Sequence, residues 1–174
     1  MDPNAPNKSF GYTPIHWAAT NGHTEMVKIL APLTANCNPQ CIGKETPLLK
    51  AASKGHTEII KILAPLVNNH NAQNMAGGTA IYFAAKNGHT EIVKILAPLT
   101  ENPNAPDKDG VTPIYCAAYY GHREIVKVLA PFTDNPNTAN KMGVTPSSAT
   151  KSDFIRRFLE SFDSSKKRGI MKSV

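Results

Sequence analysis

Residues 13–33 read Thr-Pro-Ile-His-Trp-Ala-Ala-Thr-Asn-Gly-His-Thr-Glu-Met-Val-Lys-Ile-Leu-Ala-Pro-Leu, and they return with changes as residues 46–66, 79–99 and 112–132. Threonine is a good N-cap and proline suits the first helical position, so Thr13-Pro14 opens a short helix that carries Ala18-Ala19. Small side chains there let two helices approach closely. Asn21-Gly22 supplies a residue able to take positive φ, which closes this helix and turns the chain. A second helix follows, with Met26, Val27, Ile29 and Leu30 as a broad apolar stripe and Glu25 with Lys28 on its wet side.

Outward from that stretch the spacing is constant. The opening mark recurs as Thr46-Pro47, Thr79-Ala80, Thr112-Pro113 and Thr145-Pro146, and Gly22-His23 recurs as Gly55-His56, Gly88-His89 and Gly121-His122, always at a 33-residue step. A fixed period without insertions means that each unit has one shape and meets its neighbour in one way. The units run over about 8–40, 41–73, 74–106 and 107–139. A fifth opens at Gly143 and drifts after Ser147; Asp153 to Phe162 then reads as a closing helix with Phe154, Ile155, Phe158 and Leu159 apolar, giving a cap over 140–163. Residues 164–174 are expected to be a disordered basic tail.

Thr13-Pro14-Ile15-His16-Trp17-Ala18 resembles the Thr-Pro-Leu-His-x-Ala hallmark of the ankyrin repeat. The Gly-His turn, the Ile-Val-x-x-Leu pattern of the second helix and an asparagine at 38, 71, 104 and 137 extend the likeness over nearly the whole chain. The resemblance implies an all-α solenoid over residues 1–163, in which stacked helix-turn-helix units are linked by β-hairpin-like loops. Several features depart from the family pattern. Leu-Ala-Pro-Leu at 30–33, 63–66 and 96–99, and Leu-Ala-Pro-Phe at 129–132, place a proline where it removes a helical hydrogen bond. The second helix should therefore tighten or stop near Pro32, Pro65, Pro98 and Pro131. Lys44 stands where other units have Gly11, Gly77, Gly110 and Gly143, and unit one carries one extra loop residue, so both tips are expected to be built differently. The chain opens within what would be the loop after a preceding repeat, with no polar capping helix, which fits a piece cut from a longer array.

Apolar residues make up 41% of the chain and charged residues 18%, which is ordinary for a folded protein. The net charge of +6 is uneven: residues 1–150 hold 12 Lys/Arg against 10 Asp/Glu, and residues 151–174 hold 7 against 3. No run is long and apolar enough for a membrane span, and the opening lacks a signal-peptide pattern. Cys37, Cys41 and Cys116 are an odd number without framework spacing, which fits reduced thiols in a cytoplasmic, or nuclear, monomer.

Catalysis finds little support. His23, His56, His89 and His122 sit one per unit, roughly 10 Å apart in a stack, too far to share a zinc ion. The resemblance gives them the role of tying neighbouring loops together. Cys37-x-x-x-Cys41 has no second ligand pair, Cys116 could face the groove, and no nucleophile-base set or phosphate loop stands out. No cofactor, metal or enzyme activity is expected. Lys166-Lys167-Arg168 with Lys172 could serve as an import signal or acidic-surface contact, while no positive stripe for nucleic acid is evident along the body.

The ankyrin resemblance implies a binding groove formed by loop tips and the exposed side of the first helices. Carried over by register, it comprises Phe10, Tyr12, Trp17, Thr20 and Asn21; Ile42, Glu45, Lys50, Ser53 and Lys54; Met75, Phe83, Lys86 and Asn87; and Lys108, Asp109, Val111, Tyr119 and Tyr120. The row is rich in aromatics, the usual anchors of protein-binding hot spots. Tyr12, Tyr119 and Tyr120 are expected at least partly exposed; for Trp17 and Phe83, surface and core stand open. The sequence thus predicts an adaptor or scaffold that binds a partner protein, with a regulatory segment of a larger multidomain protein as the alternative.

Overall fold

The computed structural model describes residues 5–34 and 36–170, with side chains through Phe162. Its helices come in pairs: α1 (Pro14–Asn21) with α2 (Thr24–Leu33), α3 (Pro47–Lys54) with α4 (Thr57–Leu63), α5 (Ala80–Asn87) with α6 (Thr90–Leu96), α7 (Pro113–Tyr119) with α8 (Arg123–Leu129), and α9 (Pro146–Ala149) with α10 (Asp153–Ile170). First helices pack on first helices, α1 on α3 on α5 on α7 on α9, and second helices stack behind them from α2 to α8. The result is a two-layer all-α solenoid.

Local chemistry sets each unit. Thr46, Thr79, Thr112 and Thr145 cap their helices by accepting, through the side-chain oxygen, from the backbone N–H three residues on, at 3.2 Å in each case. The alanine pairs of α1, α3, α5 and α7 are all buried, as close packing of first helices requires. Ile59, Ile60 and Leu63 of α4, and their equivalents Ile92, Val93 and Leu96 of α6, are fully buried between layers, each large side chain contributing about 1.5–3 kcal/mol of burial.

The prolines act largely as expected. α4, α6 and α8 end at Leu63, Leu96 and Leu129, and a 3-10 turn carries each proline: Ala64–Leu66, Ala97–Leu99 and Ala130–Phe132. In the first unit α2 instead continues through Pro32 to Leu33. The stripe of α2 is also less buried than its pattern suggests. Val27 and Leu30 are buried, but Met26 and Ile29 are 51% and 60% exposed, because no helix pair among the described residues packs on this side of unit one; Ile59, matching Met26, is fully buried beneath its neighbour.

The connecting loops form turns joined edge to edge. Cys41, Asn74, Asp107 and Asn140 donate their N–H to the carbonyls of Glu45, Gly78, Val111 and Val144, closing the tips, while Ile42, Met75, Lys108 and Lys141 donate to Phe10, Gly43, Ala76 and Asp109 of the preceding tip at 3.0–3.1 Å. Among the described residues these loops contain no assigned strand. The tip of unit two departs from its expectation: Lys44 itself takes φ +56° and donates to Cys41 O at 2.9 Å, copying the glycine units. Unit one does carry its extra residue, with Asn7 N–H reaching Tyr12 O at 2.8 Å.

At the far end α9 and α10 cover α7 and α8. Ile155 and Leu159 are fully buried, and Phe158 and Phe162 pack half-buried on the core. Phe154 lies outside, its ring 4.1 Å from Arg123 Cζ and 5.3 Å from Lys127 Nζ, so two cations of α8 clasp the cap. The closing helix is longer than its apolar residues predict. It runs to Ile170, so the backbone of 164–170 is helical and not irregular; this stretch lacks proline and offers good helix formers in Lys166, Lys167 and Arg168. Residues 171–174, with Lys172, lie outside the described residues.

The tip-and-groove face as candidate functional site

By register, the candidate residues occupy six places along the repeat, two at the tip, one on the arm below it and three in or at the end of the first helix. At the tips, Phe10, Ile42 and Met75 are 64%, 67% and 60% exposed, and Lys108 and Asp109 are exposed as well. On the arm descending from the tip, Tyr12, Glu45 and Val111 are half-buried. One turn into the first helices stand Trp17, Lys50 and Phe83. At their last turns, Thr20, Ser53 and Lys86 are half-buried, and Asn21, Lys54, Asn87, Tyr119 and Tyr120 are exposed.

The two open aromatics resolve in opposite directions. Trp17 is 56% exposed, whereas Phe83 is half-buried against the core and meets Tyr82 edge-on at 5.3 Å. Gly78 is the cause: a Cβ there would stand 2.7 Å from the Phe83 ring, so the missing side chain leaves the space into which this ring lies down.

In unit one the aromatics form an assembled cluster. Tyr12 stacks on His16 at 5.2 Å and meets the edge of Trp17 at 6.4 Å, with Phe10 at 6.2 Å on its other side. Tyr12 OH donates to Glu45 Oε2 at 3.1 Å, and the same carboxylate pairs with the Lys50 ammonium, which lies 5.5 Å from the Tyr12 ring centroid. Burial alone would lower the Lys50 pKa, but its hydrogen bonds to Glu45 and Tyr12 outweigh that and raise it. The ammonium therefore stays charged and fixed. This link between units one and two was hidden in the sequence, because Glu45 precedes α3 and falls outside the helical spacing rules.

His16 is fully buried beneath the cluster. Its Nδ1 faces the Thr13 backbone N–H at 3.2 Å, which can only donate, so the proton sits on Nε2 and points to Glu45 O at 3.2 Å. Burial holds this ring below its ordinary pKa, that is, neutral. At the other end Tyr119 and Tyr120 meet edge-on at 5.0 Å.

The turn histidines link adjacent units. His56 Nε2 lies 3.1 Å from Thr20 O, His89 Nε2 3.3 Å from Ser53 O, and His122 Nε2 3.2 Å from Lys86 O, each reaching the first helix of the preceding unit. The family model described as ankyrin repeats (3 copies) matches residues 1–74 and 65–141. The chain belongs to the ankyrin-repeat family.

No individual curated protein matches this ankyrin-repeat chain. Ankyrin repeats are in general protein-interaction modules, and among the described residues no helix is long and apolar enough to cross a membrane. The same residues contain no group of three His, Cys, Asp or Glu side chains placed to hold a metal ion. All three cysteines are free and buried. Cys116 does not face the groove: it is 4% exposed, and burial pushes its thiol up to about 11, far from a reactive thiolate. Its short side chain sits in the Phe83 place, buried and closed off from the groove.

Proposed function

We propose that this ankyrin-repeat protein is a non-catalytic adaptor or scaffold that holds a partner protein along its tip-and-first-helix face. It acts as a monomer in the cytoplasm, where free buried thiols persist. One observation carries this reading: large apolar side chains are exposed on this face in successive units, namely Phe10, Trp17, Ile42, Met75, Tyr119 and Tyr120. The outer helices carry Glu25–Lys28, Glu58–Lys61, Glu91–Lys94 and Glu124–Lys127 ion pairs, and their exposed apolar residues are mostly aliphatic: Met26, Ile29 and Leu33 on α2, with Leu66, Leu99 and Phe132 at the proline turns. Aromatic anchors among polar neighbours have the composition of a binding hot spot; paired charges have that of a solvated back.

A photo-crosslinking side chain at Tyr119 tests the proposal against the same group at Lys94, on α6. The proposal expects defined adducts from Tyr119 alone, competed away by unmodified protein and lost with Trp17→Ala. Equal adducts from Lys94, or adducts indifferent to Trp17, would move the binding face elsewhere.

A further inference from the structure

The charges of the repeat body are sorted between its faces. On the outer helices each lysine of the four Glu–Lys pairs lies 2.6–2.9 Å from its glutamate, so that α2, α4, α6 and α8 together carry only the charge of Arg123 in excess. On the tip-and-first-helix face stand seven lysines, Lys8, Lys44, Lys50, Lys54, Lys86, Lys108 and Lys141, against three carboxylates, Glu45, Asp107 and Asp109. Glu45 is already engaged by Lys50 and Tyr12, and Asp107 Oδ1 accepts from the N–H groups of Asp109 and Val111 within its own tip. Lys8, Lys44, Lys54, Lys108 and Lys141 are exposed and Lys86 is half-exposed; none of the six has a carboxylate in ion-pair contact among the described residues.

Apolar anchors bracket this basic middle: Phe10, Trp17 and Ile42 at one end, and Tyr119 with Tyr120 at the other. Three repeat steps of roughly 10 Å separate them, the length of about nine extended residues. We infer that the groove takes an extended acidic segment of a partner protein, with carboxylates over Lys54, Lys86 and the tip lysines and an apolar side chain at each end. This rests on the groove reading above and adds the partner's chemistry. The lysines supply specificity and encounter rate through complementary charge, and the aromatics supply anchoring. A protein segment fits better than a nucleic acid because the basic residues are interleaved with Glu45, Asp107 and Asp109, and only Lys8 carries their charge into unit one.

Fluorescence anisotropy tests this with a labelled peptide of about nine residues, glutamates flanked by leucines, its glutamine counterpart, and single-stranded DNA of equal length. The expected result is binding of the glutamate peptide about tenfold or more above the glutamine peptide, falling with added salt. A Lys54→Glu, Lys86→Glu double variant loses that preference while its circular dichroism stays unchanged, and Trp17→Ala weakens both peptides. Equal binding of the two peptides, lost with Trp17→Ala, would overturn the acidic preference and leave the groove reading standing. Tighter binding of DNA, or no binding by either peptide, would overturn the inference too; the crosslinking experiment then judges the groove on its own.

Discussion

The ring of His89 lies against Gly55 so closely that a Cβ on that glycine would stand 2.7 Å from its Cε1. Gly121 has nearly the same backbone, φ +80° against +81°, but nothing within 4 Å of its would-be Cβ. Alanine at either position meets the left-handed strain of about 1–2 kcal/mol. Gly55→Ala must also displace the histidine ring, a further cost of about 1–3 kcal/mol. Urea titrations of the two variants should therefore place Gly55→Ala clearly below Gly121→Ala. Equal losses would mean that the ring moves aside freely.

Lys44 occupies a place that four other tips give to glycine, and it is the one non-glycine residue with positive φ among those described. The strain of about 1–2 kcal/mol exceeds the extra unfolded-state entropy of glycine, about 0.5–1 kcal/mol. Lys44→Gly should thus raise stability by up to about 1 kcal/mol, read as a higher urea midpoint at unchanged slope. A lowered midpoint would show that the Lys44 side chain contributes contacts that outweigh the strain.

The repeat was legible because it is written in local signals. Thr-Pro caps, alanine pairs and Gly-His turns each dictate backbone geometry over a few residues, and the constant step dictates stacking. What the sequence concealed depended on neighbours in space. The burial of Phe83 follows from the absent side chain of Gly78, and the Tyr12–Glu45–Lys50 network joins two units outside any helical spacing. Met26 matches fully buried residues of other units and Ile29 matches partly buried ones, yet both lie exposed, since a repeat pattern states what could be covered and only packing determines what is. The near-neutral total for residues 1–150 likewise hid a basic face set against a back whose charges nearly cancel.

That contrast in burial should be measurable. Leu63 and Leu96 are fully buried in the middle of the stack, and replacing either with alanine should cost about 2–5 kcal/mol. In a quasi-one-dimensional array such a loss can divide unfolding into two transitions, visible by calorimetry. Met26→Ala, at a half-exposed site, should cost less than about 1 kcal/mol. Removing Lys61 from its exposed pair with Glu58 should change stability by no more than about 1 kcal/mol. A harmless Leu63→Ala would refute the placement of the core.

His16 gives the fold a pH dependence whose sign follows from its burial. Burial disfavours the imidazolium, and Nδ1 already accepts from Thr13 N–H, so the folded protein holds the ring neutral and its pKa below the ordinary value near 6.5. Below that value the unfolded chain binds a proton that the folded chain resists. The stabilising contribution is therefore fully present above 6.5 and is lost as pH falls from there through the folded pKa. In a His16→Gln variant the side-chain amide oxygen can still accept from Thr13 N–H, but the amide carries no titrating proton. Between about pH 7.5 and about pH 5, the wild-type urea midpoint should fall further than that of the variant. His23, His56, His89 and His122 are common to both proteins and cancel in the comparison. Parallel pH profiles would mean that His16 keeps the same proton affinity when the chain folds, and that the Thr13 contact does not hold it neutral.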